Sequence, residues 1–141
     1  MSLTHRVVFD TSTLVSAALR EGSIPRQALL KALRFCDLCA SDETFGELKQ
    51  VLGRDKFDPY IGLEKRREFI DLIERNVRLF SAKEHVMENL QPARRDSKDN
   101  KFLALALVTE ADAIVTSDED LLMLHSWHEV QIIKPAEFLA R

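Results

Sequence analysis

The segment Arg6-Val7-Val8-Phe9-Asp10-Thr11-Ser12 sets three strand-forming apolar residues directly against three small polar ones. An apolar run this short, without polar alternation, reads as a strand covered on both faces that stops at a polar turn. Helical spacing follows at once. Leu14, Ala17 and Ala18 fit a first short helix, Gly22-Ser23 interrupts it, and Pro25 is placed to start a second carrying Ala28, Leu29, Ala32 and Leu33. Leu38-Cys39-Ala40 is the next strand, and Ser41-Asp42-Glu43 is a helix-start signal ahead of the stripe Phe45, Leu48, Val51 and Leu52, which Gly53 ends.

The same alternation continues to the end of the chain. Asp58-Pro59 marks a turn, and Leu63 to Arg75 is a charged amphipathic helix with Phe69, Leu72 and Ile73 on its apolar side. Val77 to Phe80 is a third strand, Ser81 to Arg95 a polar loop, and Asp96 or Ser97 can cap a helix whose core face is Phe102, Leu103, Ala106 and Leu107. Ala113 to Thr116 is a fourth strand, Asp118 to His125 a short helix, and Val130 to Ile133 a fifth strand before a helical tail. The expected fold class is α/β: one three-layer domain over residues 1–141, with a mainly parallel central sheet of about five strands flanked by helices.

Composition narrows the function classes. The chain has 141 residues, 45% apolar and 30% charged, enough to bury one core. A net charge of -3 excludes a polycationic nucleic-acid surface, so any such contact is local or metal-assisted. No apolar run reaches the roughly 20 residues of a membrane helix, and Met1 to Arg6 lacks the apolar centre of a signal peptide, so a cytoplasmic location is expected. Cys36 and Cys39 close a helix and enter a strand, which reads as core packing rather than a redox pair. His125-x-x-His128 could bind zinc with a Cys or carboxylate pair brought from elsewhere in the fold, and reads more plainly as surface residues near a short helix end; no phosphate-cradling glycine loop is present.

Right-handed crossovers put Asp10, Glu47, Asp99 and Asp118 at one edge, the carboxyl ends of the strands where ligands of open α/β sheets bind. Each alone has an ordinary role as turn former, helix cap or solvated helix residue. Together they would repel one another unless a cation neutralised them, and oxygen-only donors suit Mg²⁺ or Mn²⁺. The motifs Val7 to Ser12, Glu47-Leu48 after Ser41, Asp99-Asn100-Lys101-Phe102-Leu103-Ala104-Leu105-Ala106 and Ile114 to Leu121 together resemble the PIN-domain ribonucleases, closest to the toxin components of bacterial toxin-antitoxin pairs. The resemblance implies a metal site on Asp10, Glu47, Asp99 and Asp118, hydrolysis of single-stranded RNA by a metal-activated water, and a small antitoxin protein as partner. Asp96 is the rival of Asp99 for the third acidic position, and Asp120 is auxiliary.

Ser12 and Thr116 can orient a water or phosphate through their hydroxyls, and turn or cap roles suit them equally. Arg94, Arg95, Lys98 and Lys101 can hold RNA phosphates or form a solvated loop, whereas Lys65-Arg66-Arg67 reads as a solvated helix face. Phe45, Phe69 and Phe102 fall on core stripes. The apolar stripes of Leu14 to Leu33 and Leu63 to Ile73 can serve a homodimer or an antitoxin groove, or face the sheet. Two other readings stay open: a noncatalytic PIN-like interaction domain, and a haloacid-dehalogenase-type phosphatase with Asp10 as nucleophile. The second lacks the expected acid two residues on, where Ser12 stands.

Overall fold

A computed structural model describes residues 5–80 and 100–141. The chain runs β1 (His5–Phe9), α1 (Thr11–Leu19), α2 (Ile24–Phe35), β2 (Cys36–Ser41), α3 (Asp42–Leu52), a 3-10 turn (Asp55–Phe57), α4 (Leu63–Asn76) and β3 (Arg78–Phe80). After the undescribed stretch come α5 (Asn100–Thr109), β4 (Ala113–Val115), α6 (Glu119–Leu122), β5 (Gln131–Ile133) and α7 (Pro135–Ala140). The strands pair in parallel in the order β3-β2-β1-β4-β5.

Pleat alternation sends the strand residues to two separate cores. Val7, Phe9, Leu38, Ala113, Val115 and Ile133 join residues of α1 to α4 and α7 on one face. Val8, Cys39, Ile114 and Ile132 join α5 and Leu121 of α6 on the other. Chain order explains the division: β1 to β3 march one way with helices on the first face, and the chain returns through α5 on the opposite face to place β4 beside β1. Right-handed crossovers require that change of side. Between β1 and β4 the direction of strand order therefore reverses, and a crevice opens there beyond the carboxyl ends.

The helix boundaries follow local chemistry. Ser41 caps α3 by accepting from the Thr44 amide while the Thr44 hydroxyl accepts from the Ser41 amide, a reciprocal box that satisfies two orphan donors. Ser23 caps α2 through the Arg26 amide, and Pro25 sits in its first turn. The α6 helix is shorter than the expected Asp118 to His125: Asp118 lies outside it as its N-cap, and Met123 closes it as its C-cap. The two apolar stripes raised above as partner surfaces mainly face inward: Ala28, Leu29, Ala32, Phe69 and Ile73 are buried, leaving Ile24, Leu30 and Leu63 exposed. Cys36 and Cys39 are free thiols, Cys39 buried in the second core. His125 accepts a hydrogen bond from the Ile132 amide through Nδ1, and His128 stands edge-on to Trp127; among the described residues no group of three metal-binding side chains includes either.

One sequence expectation is overturned. Arg66 is not a solvated residue of the charged α4 face; it is 1% exposed. Its guanidinium donates to the carbonyls of Leu52 at 2.8 Å and Arg54 at 3.0 Å and to the Asp58 carboxylate. The physical reason is that α3 ends with unsatisfied carbonyls facing α4, and a planar multi-donor group satisfies them where no backbone can.

α5 ends with Glu110 at φ 55°, while the Ala111 amide closes back on the Ala106 carbonyl at 2.9 Å and the Glu110 amide on Leu107 at 3.2 Å. This is a Schellman stop, whose left-handed position suits glycine better than glutamate. Glu110→Gly should raise the unfolding free energy by about 0.5–1 kcal/mol in urea titrations; an unchanged or lower stability would contradict this account of the helix end.

Candidate active site

The β1–β4 register pairs Phe9 with Val115, so the residues that follow, Asp10 and Thr116, leave adjacent strands at the crevice. Asp10 is 3% exposed. It caps α1, one carboxylate oxygen accepting from the Thr13 amide at 3.0 Å and the other from the Thr116 hydroxyl at 2.6 Å. Thr116 in turn accepts from the Asp118 amide at 3.0 Å, and Asp118 accepts from the Asp120 amide at 2.8 Å. Asp10, Thr116 and Asp118 thus form one hydrogen-bonded chain across the strand-order reversal. The cap roles of Asp10 and Asp118 coexist with a site role, because each carboxylate oxygen keeps a second lone pair.

Glu47 arrives from α3. One of its oxygens accepts from the Thr11 hydroxyl and the other faces the Lys101 ammonium at 2.7 Å. Glu47 is half-buried and Lys101 more so, so this pair is only partly screened by solvent. Asp10, Thr11, exposed Ser12, Glu47 and Lys101 line a cleft of about 420 Å³. Arg54, Lys56 and Phe57 line it as well, and sequence reasoning missed all three. Their only sequence signal is position: they follow the Gly53 helix end without any apolar period of their own.

Of the sequence-predicted residues, the structure brings Asp10 and Glu47 into one cleft, and Asp118 lies close enough to Asp10 for its charge to be felt there. Asp120 is exposed in the first turn of α6. Lys101 belongs to the first turn of α5 and pairs with Glu47 rather than lying in a loop. Asp99, Asp96, Arg94, Arg95 and Lys98 lie outside the described residues. Among the described residues no three acidic, histidine or cysteine side chains converge tightly enough to hold an ion by themselves. Phe45, Phe69 and Phe102 are buried core residues.

Burial pushes the Asp10 carboxyl above its ordinary value of 3.8; the hydrogen bonds from Thr116 and Thr13 pull it back in part, and the neighbouring Asp118 charge adds to the rise. Folding therefore favours protonated Asp10. That contribution to stability is complete below the unfolded value and is lost as pH climbs through the raised one. In EDTA, Asp10→Asn should be more stable than the parent at neutral pH, with the difference closing below about pH 4. Thermal melts across pH that show a constant difference would refute it.

Comparison with known proteins agrees with this architecture. The PIN domain family matches residues 6–120. A crystal structure of PAE2754 from Pyrobaculum aerophilum superposes with a TM-score of 0.63 at 14% identity, covering 99% of this chain and 97% of that one. VapC20 of Mycobacterium tuberculosis, described as a sarcin-ricin loop cleaving toxin, gives a TM-score of 0.58 at 14% identity over 89% of this chain and 98% of that one. VapBC2 of Rickettsia felis, bound to a DNA fragment from its promoter, gives 0.65 at 12% identity over 92% and 98%. No curated protein sequence matches the chain. With a family match from the first strand through the start of α6, on a five-stranded parallel sheet shared with these structures, the chain belongs to the PIN domain family.

Proposed function

We propose that the chain is an endoribonuclease that hydrolyses phosphodiester bonds of single-stranded RNA, dependent on Mg²⁺ or Mn²⁺, and that it is the toxin of a toxin-antitoxin pair restrained by a small antitoxin protein. The observation that carries the reading is Asp10: a carboxylate buried at the strand-order reversal, pushed toward protonation, and linked through Thr116 to Asp118. Such an arrangement costs stability, which is the usual mark of a site kept for chemistry. Family membership supports the nuclease class, and the VapC20 and VapBC2 likenesses support the toxin role.

The donor chemistry fits a hard divalent cation, since every candidate ligand offers oxygen and the most buried one is destabilised as a bare anion. Asp10 and Asp118 would hold it from the strand ends and Glu47 from α3, with Asp99 as the fourth acid. Bound there, Mg²⁺ or Mn²⁺ supplies neutralising charge for the phosphate and acidifies the attacking water. The chain's own groups do the positioning. Thr116 and the Thr13 amide fix both oxygens of Asp10, and the Thr11 hydroxyl and Lys101 fix Glu47. Lys101, with Arg94, Arg95 and Lys98, is proposed to meet the RNA backbone, and Ser12 and Asp120 to assist at the rim.

The test is cleavage of single-stranded RNA and DNA by the full chain with Mg²⁺, Mn²⁺ or EDTA, beside Asp10→Asn and Asp118→Asn. RNA cleavage that EDTA and Asp10→Asn both abolish is expected, and Thr116→Val should lower it about 10–100-fold by loosening Asp10. Metal-independent or Asp10-insensitive cleavage would reject the site. An inert parent that still captures a small partner protein would favour an interaction domain, and activity confined to phosphomonoesters a phosphatase.

A further inference from the structure

We propose that Arg54 and Lys56 form a phosphate-binding wall for single-stranded nucleic acid on the cleft that holds Asp10 and Glu47, and that buried Arg66 is the positioning residue that holds this wall in place. The proposal takes from the nuclease reading only the identity of the polymer.

The wall is defined by where its cations sit and by what they lack. Both side chains line the same cleft as Asp10 and Glu47, from the exposed turn that follows α3. Among the described residues neither has a carboxylate partner within ion-pair distance; Lys56 only overlies the Phe57 ring at 5.2 Å. Lys101, the third cation of the cleft, already faces Glu47. A polyanion approaching buried Asp10 meets repulsion at the cleft floor, and cations not engaged in pairing along one side supply the compensating attraction. Phosphate contacts of this kind fix a strand's position without reading its bases.

Arg66 bears on this wall through three acceptors. It takes the carbonyl of Leu52 at the end of α3, the carbonyl of Arg54 itself and the carboxylate of Asp58, bracketing the segment that carries both cations. Its pairing with Asp58 also neutralises the carboxylate nearest that segment's far end. Burying a guanidinium is costly, and here it holds the two ends of a short turn whose own core contact between Gly53 and Pro59 is the half-buried Phe57, all its other side chains being exposed. A lysine cannot reproduce a planar fork reaching three acceptors.

Anisotropy of a labelled single-stranded RNA oligonucleotide, titrated with the full chain in EDTA over a range of salt, tests this without any cleavage. The double variant Arg54→Gln/Lys56→Gln should bind about tenfold more weakly and flatten the salt slope by about 1.4, two contacts at ~0.7 each. Lys65→Gln/Arg67→Gln removes the same charge from exposed α4 positions outside the cleft and should keep the slope. Arg66→Lys should weaken binding in the parent and add nothing in the Arg54→Gln/Lys56→Gln background, a non-additivity that general destabilisation does not produce. Equal slopes for the two double variants overturn the wall, as does a loss confined to capture of a partner protein. A further loss from Arg66→Lys in the double-variant background overturns its positioning role, and should Arg66→Lys fail to fold, the exposed pairs still decide the wall. A parent that never cleaves RNA yet shows the expected slopes keeps the wall and removes the nuclease.

Discussion

The bond from the Thr116 hydroxyl to the Asp10 carboxylate, at 2.6 Å, joins the ends of β1 and β4 where the strand order reverses. Nearly everything about the site depends on it. β1 and β4 are pinned side by side by backbone pairing, and this contact ties the polar residues beyond them into a single unit, because Thr116 also accepts from the Asp118 amide. Both threonine and aspartate are essentially excluded from water. In that setting a charge-assisted hydrogen bond is worth more than one at the surface, and losing it leaves a buried acceptor without a partner.

The two cores divide the labour around that bond. The first gathers α1 to α4 and α7 against one face of the sheet and delivers Glu47 to the cleft from α3. The second wraps α5 and α6 on the other face and delivers Lys101. Glu47 and Lys101 meet across the carboxyl edge although they belong to different layers. The ion pair therefore reports how the layers are stacked. Arg66 plays a comparable role one level out: a buried cation on α4 reaches across to α3 and the following turn, so a charge in the interior sets the course of an exposed segment.

Strand and helix placement could be read from the chain because hydrophobic period and cap chemistry are local. Val7-Val8-Phe9 before Asp10, the helix start at Ser41-Asp42-Glu43, and Pro25 behind Gly22-Ser23 each specify their element with neighbours alone, and each is found where expected. The alternation of these elements also carries the parallel sheet, and with it the prediction that acids following strands share one edge. Asp10 and Asp118 could be picked out for that reason. Cys36 and Cys39 likewise read correctly as packing residues, since they straddle a helix end and a strand start.

Contacts between residues distant in sequence left no such trace. Lys65-Arg66-Arg67 is a uniform charged triplet in the chain, and only the angle of α4 against the end of α3 turns the middle one inward while its neighbours stay in solvent. Arg54 and Lys56 carry no periodic signal, so their place on the cleft depends on where that turn is folded back. Lys101 reads equally as a phosphate contact or a solvated loop residue until α5 sets it opposite Glu47. Local pattern thus named the elements and the acids at their ends, since backbone geometry and burial within a segment are written in adjacent residues. Which cation meets which acid was settled by packing, because Coulomb energy and hydrogen bonding depend on distances that arise only when separate layers close on one another.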